Sequence, residues 1–155
     1  MKRRTFLKAS LATGATAVAV SAGILAPNTV LAAWNEAAFK TKSVDNGISA
    51  VFGSGSVTDS VDIKLKAPAI AENGAVVPVE VDATSMKGVE SIAVFASKNT
   101  MPLACIYHFS GAALGFAAVR VKMGETQDIV AVVKADGKLF KTKSEVKVTI
   151  GGCGG

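Results

Sequence analysis

From about residue 60 onward the chain alternates apolar and polar side chains with a period of two, and this alternation excludes most folds at once. "SVDIKLKA" sets Val61, Ile63 and Leu65 against Asp62, Lys64 and Lys66. "AENGAVVPVEVDA" turns at Asn73-Gly74 and then places Val77, Val79 and Val81 on one face, with Pro78 marking an edge strand or a bulge. "VESIAVFAS" and "PLACIYHFS" are joined by the turn-rich "KNTMP", and "FAAVRVKM" passes through "GETQ" into "DIVAVVK". Asp136-Gly137 is the tightest hairpin signal, followed by "KLFKTKSEVKVTI". Successive side chains of a strand point to opposite faces, so each segment has an apolar face to bury. Seven such segments at roughly ten-residue spacing, with no helical period between them, predict an all-β, immunoglobulin-like antiparallel β-sandwich. Antibody domains also carry paired cysteines around a core Trp; this chain does not, so the prediction concerns architecture alone. Val130 and Val132, opposite Ile129, Ala131 and Val133, mark their strand as doubly buried or as an interface.

Ahead of the strands the period is helical. Trp34, Ala37 and Ala38 recur at helical spacing, and so do Ile48, Val51 and Phe52, until Gly53-Ser54-Gly55 ends the run. A short helical segment is therefore expected before the sandwich.

The first residues, "MKRRTFLKAS", carry Lys2, Arg3, Arg4 and Lys8 in front of a mildly apolar stretch from Ala9 to Leu25. The Arg3-Arg4 pair followed by Phe6-Leu7-Lys8 fits a twin-arginine export signal, with small residues at Val30-Leu31-Ala32 for cleavage after Ala32. Ser10, Thr13, Gly14, Thr16, Ser21 and Gly23 dilute the stretch below what a stable membrane anchor needs. The expected organisation is a signal over residues 1–32, a sandwich with its helical segment over 33–150, and a terminal tail over 151–155. Of 17 Lys and Arg, four lie in the signal, which leaves 13 against 12 Asp and Glu. That balance, without a basic stripe interleaved with aromatics, gives no support to nucleic-acid binding. The twin-arginine route carries folded proteins, commonly with a cofactor or a partner. One histidine (His108), two cysteines and no metal-ligand cluster argue against a resident cofactor, so a co-exported partner subunit is expected.

The chain ends in Gly151-Gly152-Cys153-Gly154-Gly155. Glycine is costly to order and permissive in φ and ψ, so this pentapeptide is expected to be a flexible arm with one reactive group. A catalytic cysteine needs a fixed position beside a base, which the tail does not supply. In an oxidising compartment a Cys105–Cys153 disulfide is the alternative, and would make the protein an exported interaction module. Against it, Cys105 shares an apolar strand face with Leu103, Tyr107 and Phe109 and is expected to be a small buried hydrophobe. A terminal Gly154-Gly155 is also found in ubiquitin-like sulfur carriers, whose cytoplasmic activation conflicts with the export signal.

"VKVTIGGCGG" at the terminus, together with "RRTFLK", "KAPAIAENGAVVPVEV" and "NTMPLACIYHF", resembles the SoxY family of sulfur-carrier subunits. The resemblance covers essentially the whole chain. It implies an immunoglobulin-like sandwich, heterodimerisation with a SoxZ-like subunit, and a periplasmic carrier cysteine at Cys153. It further implies three kinds of processing partner: a c-type haem enzyme that conjugates thiosulfate, a manganese-dependent hydrolase that releases sulfate, and in some systems a sulfane-oxidising dehydrogenase. The resemblance also implies a carrier with no cofactor of its own that is not itself an enzyme. Cys105 departs from the small or polar residue expected there.

Overall fold

The computed structural model describes residues 35–53 and 56–149. Helix α1 (Glu36–Phe39) and helix α2 (Val44–Phe52) come first. Each is capped by a polar side chain: Asn35 Oδ1 accepts from Ala38 N at 3.1 Å and Ser43 Oγ from Asn46 N at 3.3 Å. Asn35 Nδ2 also donates to Ala50 O at 2.9 Å and so ties α1 to α2.

Among the described residues nine strands follow: β1 (Val57–Asp59), β2 (Lys64–Lys66), β3 (Ile70–Ala71), β4 (Val77–Asp82), β5 (Val89–Ala96), β6 (Leu103–His108), β7 (Phe116–Val121), β8 (Gln127–Ala135) and β9 (Lys138–Val148). They form a large sheet in the order β1-β9-β8-β5-β6, with β3 also on β9, and a small sheet β2-β4-β7. Between the sheets lies a core that includes Val77, Val79, Val81, Ile92, Val94, Ile129, Ala131, Val133 and Val146. A second apolar cluster lies on the other face of the large sheet, where Ala38 and Ile48 of the helices cover Ala93, Phe95, Leu103, Val130, Val132 and Leu139. Strand β8 is thus doubly buried, which accounts for its unbroken apolar run; Val130 and Val132 meet the helices rather than a partner.

The hairpin between β8 and β9 turns on Asp136 (φ 48°) and Gly137 (φ 72°), both left-handed, as the twist-matching two-residue turn requires. Pro78 also finds a permitted place. Strand β4 is central where β2 pairs with Glu80, Val81 and Asp82, but beside Pro78 its one partner is β7, so the missing N–H costs no ladder bond on the β2 side.

Three expectations need correction. The sandwich is not wholly antiparallel, because the short strands β1 and β3 both pair with β9 in parallel. Both escape the periodicity signal because, unlike β2, neither lies within a longer alternating run. Val61 does not share a strand face with Ile63 and Leu65: it is 95% exposed, and Ser60 Oγ accepts from Asp62 N at 3.2 Å in a bend that delays β2 until Lys64. Leu103 and Cys105 do not share a face either. The register against β5 slips between Val94, opposite Cys105, and Phe95, opposite Leu103. This bulge sends Leu103 to the helix-side cluster, while Cys105, Tyr107 and Phe109 pack toward the inter-sheet core.

Candidate functional site

The expected carrier arm, Gly151, Gly152, Cys153, Gly154 and Gly155, lies outside the described residues, as do Arg3, Arg4 and Trp34. What is described is the point from which the arm departs. The end of β9 is held on two sides by hydrogen bonds from its backbone N–H groups. Lys147 N donates to Ala69 O at 3.0 Å and Thr149 N to Ala71 O at 3.1 Å, both through the β3 segment. Val148 N donates to Thr126 Oγ1 at 3.0 Å. The chain after β3 then curls under the strand end: Gly74 opens a single 3-10 turn (Gly74–Val76), and its carbonyl accepts from Met123 N at 2.7 Å.

Gly74 is required there by space. A Cβ on it would overlap the Met123 carbonyl oxygen and lie 2.8 Å from Val148 Cγ1. Backbone cannot swing aside as a side-chain tip can, so Gly74→Ala is expected to cost about 1–3 kcal/mol. Thermal unfolding of the variant checks this, and an unchanged Tm would contradict the close approach.

The loops that flank the strand end are organised by one buried polar side chain. Gln127, 2% exposed, accepts from Lys98 N at 2.7 Å through Oε1 and donates to Asn99 Oδ1 at 3.0 Å through Nε2. Asn99 Nδ2 in turn donates to Lys122 O at 2.8 Å, so the β5–β6 and β7–β8 connections are stitched together beside Thr126. Burying the amide with both its oxygen and its nitrogen hydrogen-bonded holds these loops in one arrangement.

Cys105 is half-buried and free. Burial pushes its thiol from 9.0 up to about 11, partly opposed by the nearby Val94 backbone and Tyr107 side chain, which favour the thiolate. Tyr107, whose hydroxyl donates to Ala118 O at 3.3 Å, also has its own ionisation raised, first by burial and then by Cys105. The reactive form of a cysteine is the thiolate, so Cys105 is inert near neutral pH. At pH 8 native protein is expected to alkylate rapidly at Cys153 alone, and Cys105 only after denaturation; peptide mapping after timed iodoacetamide quench reads the difference. The thiol is favoured in the folded state, so its stabilising contribution is complete below pH 9.0 and is lost as pH rises toward about 11.

The strand register also tests the Cys105–Cys153 disulfide. Cys105 is level with Val94, Val94 with Ala131, and Ala131 with Thr142 of β9. Three strand spacings across and seven residues along β9 separate it from Thr149, a distance of roughly 28 Å. Four residues carry the chain from Thr149 to Cys153, which spans at most about 14 Å. A disulfide adds a Cα separation of at most about 7 Å, so the two thiols cannot meet while the end of β9 stays paired.

Among the described residues no three His, Cys, Asp or Glu side chains converge as metal ligands, and no helix is long and apolar enough to cross a membrane. His108 is exposed at the end of β6, away from the base of the arm.

No curated protein matches the chain. The sulfur carrier protein SoxY from Chlorobium limicola f. thiosulfatophilum matches with 41% identity and a TM-score of 0.64, over 70% of this chain and 97% of that one. Superoxide reductase (neelaredoxin) from Ignicoccus hospitalis matches with 15% identity and a TM-score of 0.51, over 56% of this chain and 80% of its own, a likeness of fold alone. The family model "Sulfur oxidation protein SoxY" matches residues 48–153, a span that begins in α2, takes in all nine strands and ends on the arm cysteine. The chain belongs to the SoxY family of sulfur oxidation proteins.

Proposed function

We propose that this protein is a periplasmic sulfur carrier that holds thiosulfate-derived intermediates on Cys153 and presents them to a series of enzymes. The observation that carries the reading is the family match, which extends through Cys153, alongside 41% identity to a protein described as a sulfur carrier. Two features of this chain support it. Cys105 is protonated and half-buried, so Cys153 is the thiol left for chemistry. The end of β9 is fixed on both sides, so an arm begun there starts from a defined place.

In the first step the Cys153 thiolate and thiosulfate form a new S–S bond, giving the S-thiosulfonate and releasing two electrons to a c-type haem partner. In the second, water supplies an oxygen to the terminal sulfonate on a manganese-dependent hydrolase. Sulfate and two protons leave, and Cys153 keeps a persulfide. Where a sulfane-oxidising dehydrogenase is present, the remaining sulfur is oxidised by it. None of these steps draws a base or an oxidant from the carrier. Export through Arg3-Arg4 in company with a SoxZ-like subunit completes the reading.

Each adduct is joined through an S–S bond, so reduction must remove it. Protein purified from thiosulfate-grown cells is expected to show heavier species that collapse to the free-thiol mass on treatment with dithiothreitol. Heavier species that survive reduction would contradict the proposal.

A further inference from the structure

An arm made of glycine and one cysteine offers a partner no side chains to recognise, so recognition must come from the body of the protein beside it. The reach of the arm decides where. At most about 14 Å of chain separates Thr149 from Cys153, and an enzyme that encloses the sulfur must therefore bring its own surface down to the end of β9. The surface that waits there is the segment around β3 and the 3-10 turn. Ile70 is opposite Lys147 in the parallel β3–β9 pair and is 59% exposed, although it belongs to a strand whose other residue, Ala71, is buried in the core. Val76 follows Gly74, which abuts Val148, and is 50% exposed. Two aliphatic side chains are thus held out to solvent by the same short stretch of chain that fixes the departing arm. Of the other exposed large hydrophobic residues among those described, Met101 (52% exposed) is in the β5–β6 connection and Leu114 (71% exposed) in the β6–β7 connection, just ahead of Phe116 at the start of β7. Val61 follows Ser60, whose N–H bonds Lys141 O well back along β9. None of these belongs to the β3 segment that fixes the arm.

We infer that Ile70 and Val76, with Lys147 beside Ile70, form the docking rim of the carrier, covered by the apolar, carboxylate-bearing lip of the channel in each enzyme that receives the arm. The apolar pair supplies sequence-independent contact that several different enzymes can share, and Lys147 supplies orientation. The inference rests on the carrier reading above and names the surface that reading leaves unassigned.

The test uses the full-length protein with its partner subunit, incubated with thiosulfate and the periplasmic fraction of thiosulfate-grown cells, with the initial rate of adduct formation read by intact mass. Ile70→Asp and Val76→Asp are each expected to slow loading about tenfold at limiting carrier, while Leu114→Asp loads at the wild-type rate. Alkylation of Cys153 by iodoacetamide and the Tm should match wild type in all three, because the side chains are exposed and the arm is untouched. Loading by Ile70→Asp and Val76→Asp at the wild-type rate would overturn the inference. So would an equal loss in Leu114→Asp, or dissociation of the partner subunit from the rim variants, which would make the rim a subunit interface. Failure of the carrier reading is separate: it would appear as no thiosulfate-dependent adduct in the wild type itself.

Discussion

Cys153→Ser is expected to abolish thiosulfate-dependent adducts completely while leaving the fold and its stability unchanged. The first half follows from chemistry: a serine hydroxyl forms no S–S bond, and Cys105 cannot substitute. Its thiol is raised to about 11, and it is roughly 28 Å from the base of the arm across three strands, well outside the reach set for a tail of four residues. The second half follows from where the last structural bonds are made. Thr149 N to Ala71 O is the final backbone tie described for β9, and Val146 is the last fully buried side chain among the described residues, so the described core closes without position 153. The variant should unfold within about 0.5 kcal/mol of wild type, the usual range for substitutions away from packed features. Intact mass on protein from thiosulfate-grown cells reads the first half and denaturant unfolding the second. Adducts persisting on the serine variant would sink the assignment of Cys153.

Phe95→Ala is expected to cost about 3–5 kcal/mol, the largest stability effect of the substitutions considered, and to lower Tm by roughly 10–20 °C. Phe95 is wholly buried on the outer face of β5, where the helical segment closes over the large sheet. Its ring fits against the backbone of α2: a Cβ on Gly47 would lie 2.7 Å from Phe95 Cε1. That contact explains a glycine inside a helix, where it otherwise costs about 1 kcal/mol relative to alanine. A coupling follows. Gly47→Ala should destabilise the wild type, yet in the Phe95→Ala background, with the ring gone, it should be neutral or stabilising. The remaining near neighbour is Thr41 Oγ1 at 3.1 Å. A thermodynamic cycle over the four proteins measures this directly, and additive effects would contradict the packing described.

Seven strands were legible because each lies in an alternating or continuous apolar run bounded by turn signals, and the Asp136-Gly137 hairpin was the clearest of these. Strands β1 and β3 were not, since they exist by pairing with β9 and carry no pattern of their own. The bulge in β6 was hidden for a related reason. "LACIYHF" alternates well enough to suggest one face, and it is the fit against Val94 and Phe95 of a neighbouring strand that divides Leu103 from Cys105. Of the site, the thiol and its glycines stand plainly in the sequence. The clamp that fixes their origin does not, because Ala69, Ala71, Gly74 and Thr126 act through backbone atoms, a hydroxyl and close approach, none of which leaves a periodic trace.

The central claim is that one thiol, Cys153, carries the sulfur, and the two cysteines can be examined apart. Trypsin cuts after Lys98, Arg120 and Lys147, so Cys105 falls in the peptide of residues 99–120 and Cys153 in that of residues 148–155. Protein taken from thiosulfate-grown cells and digested without reductant should show thiosulfonate or persulfide mass on 148–155, and 99–120 only as the free thiol. Sulfur adducts on 99–120, or a 148–155 peptide that is unmodified or joined to 99–120, would contradict it.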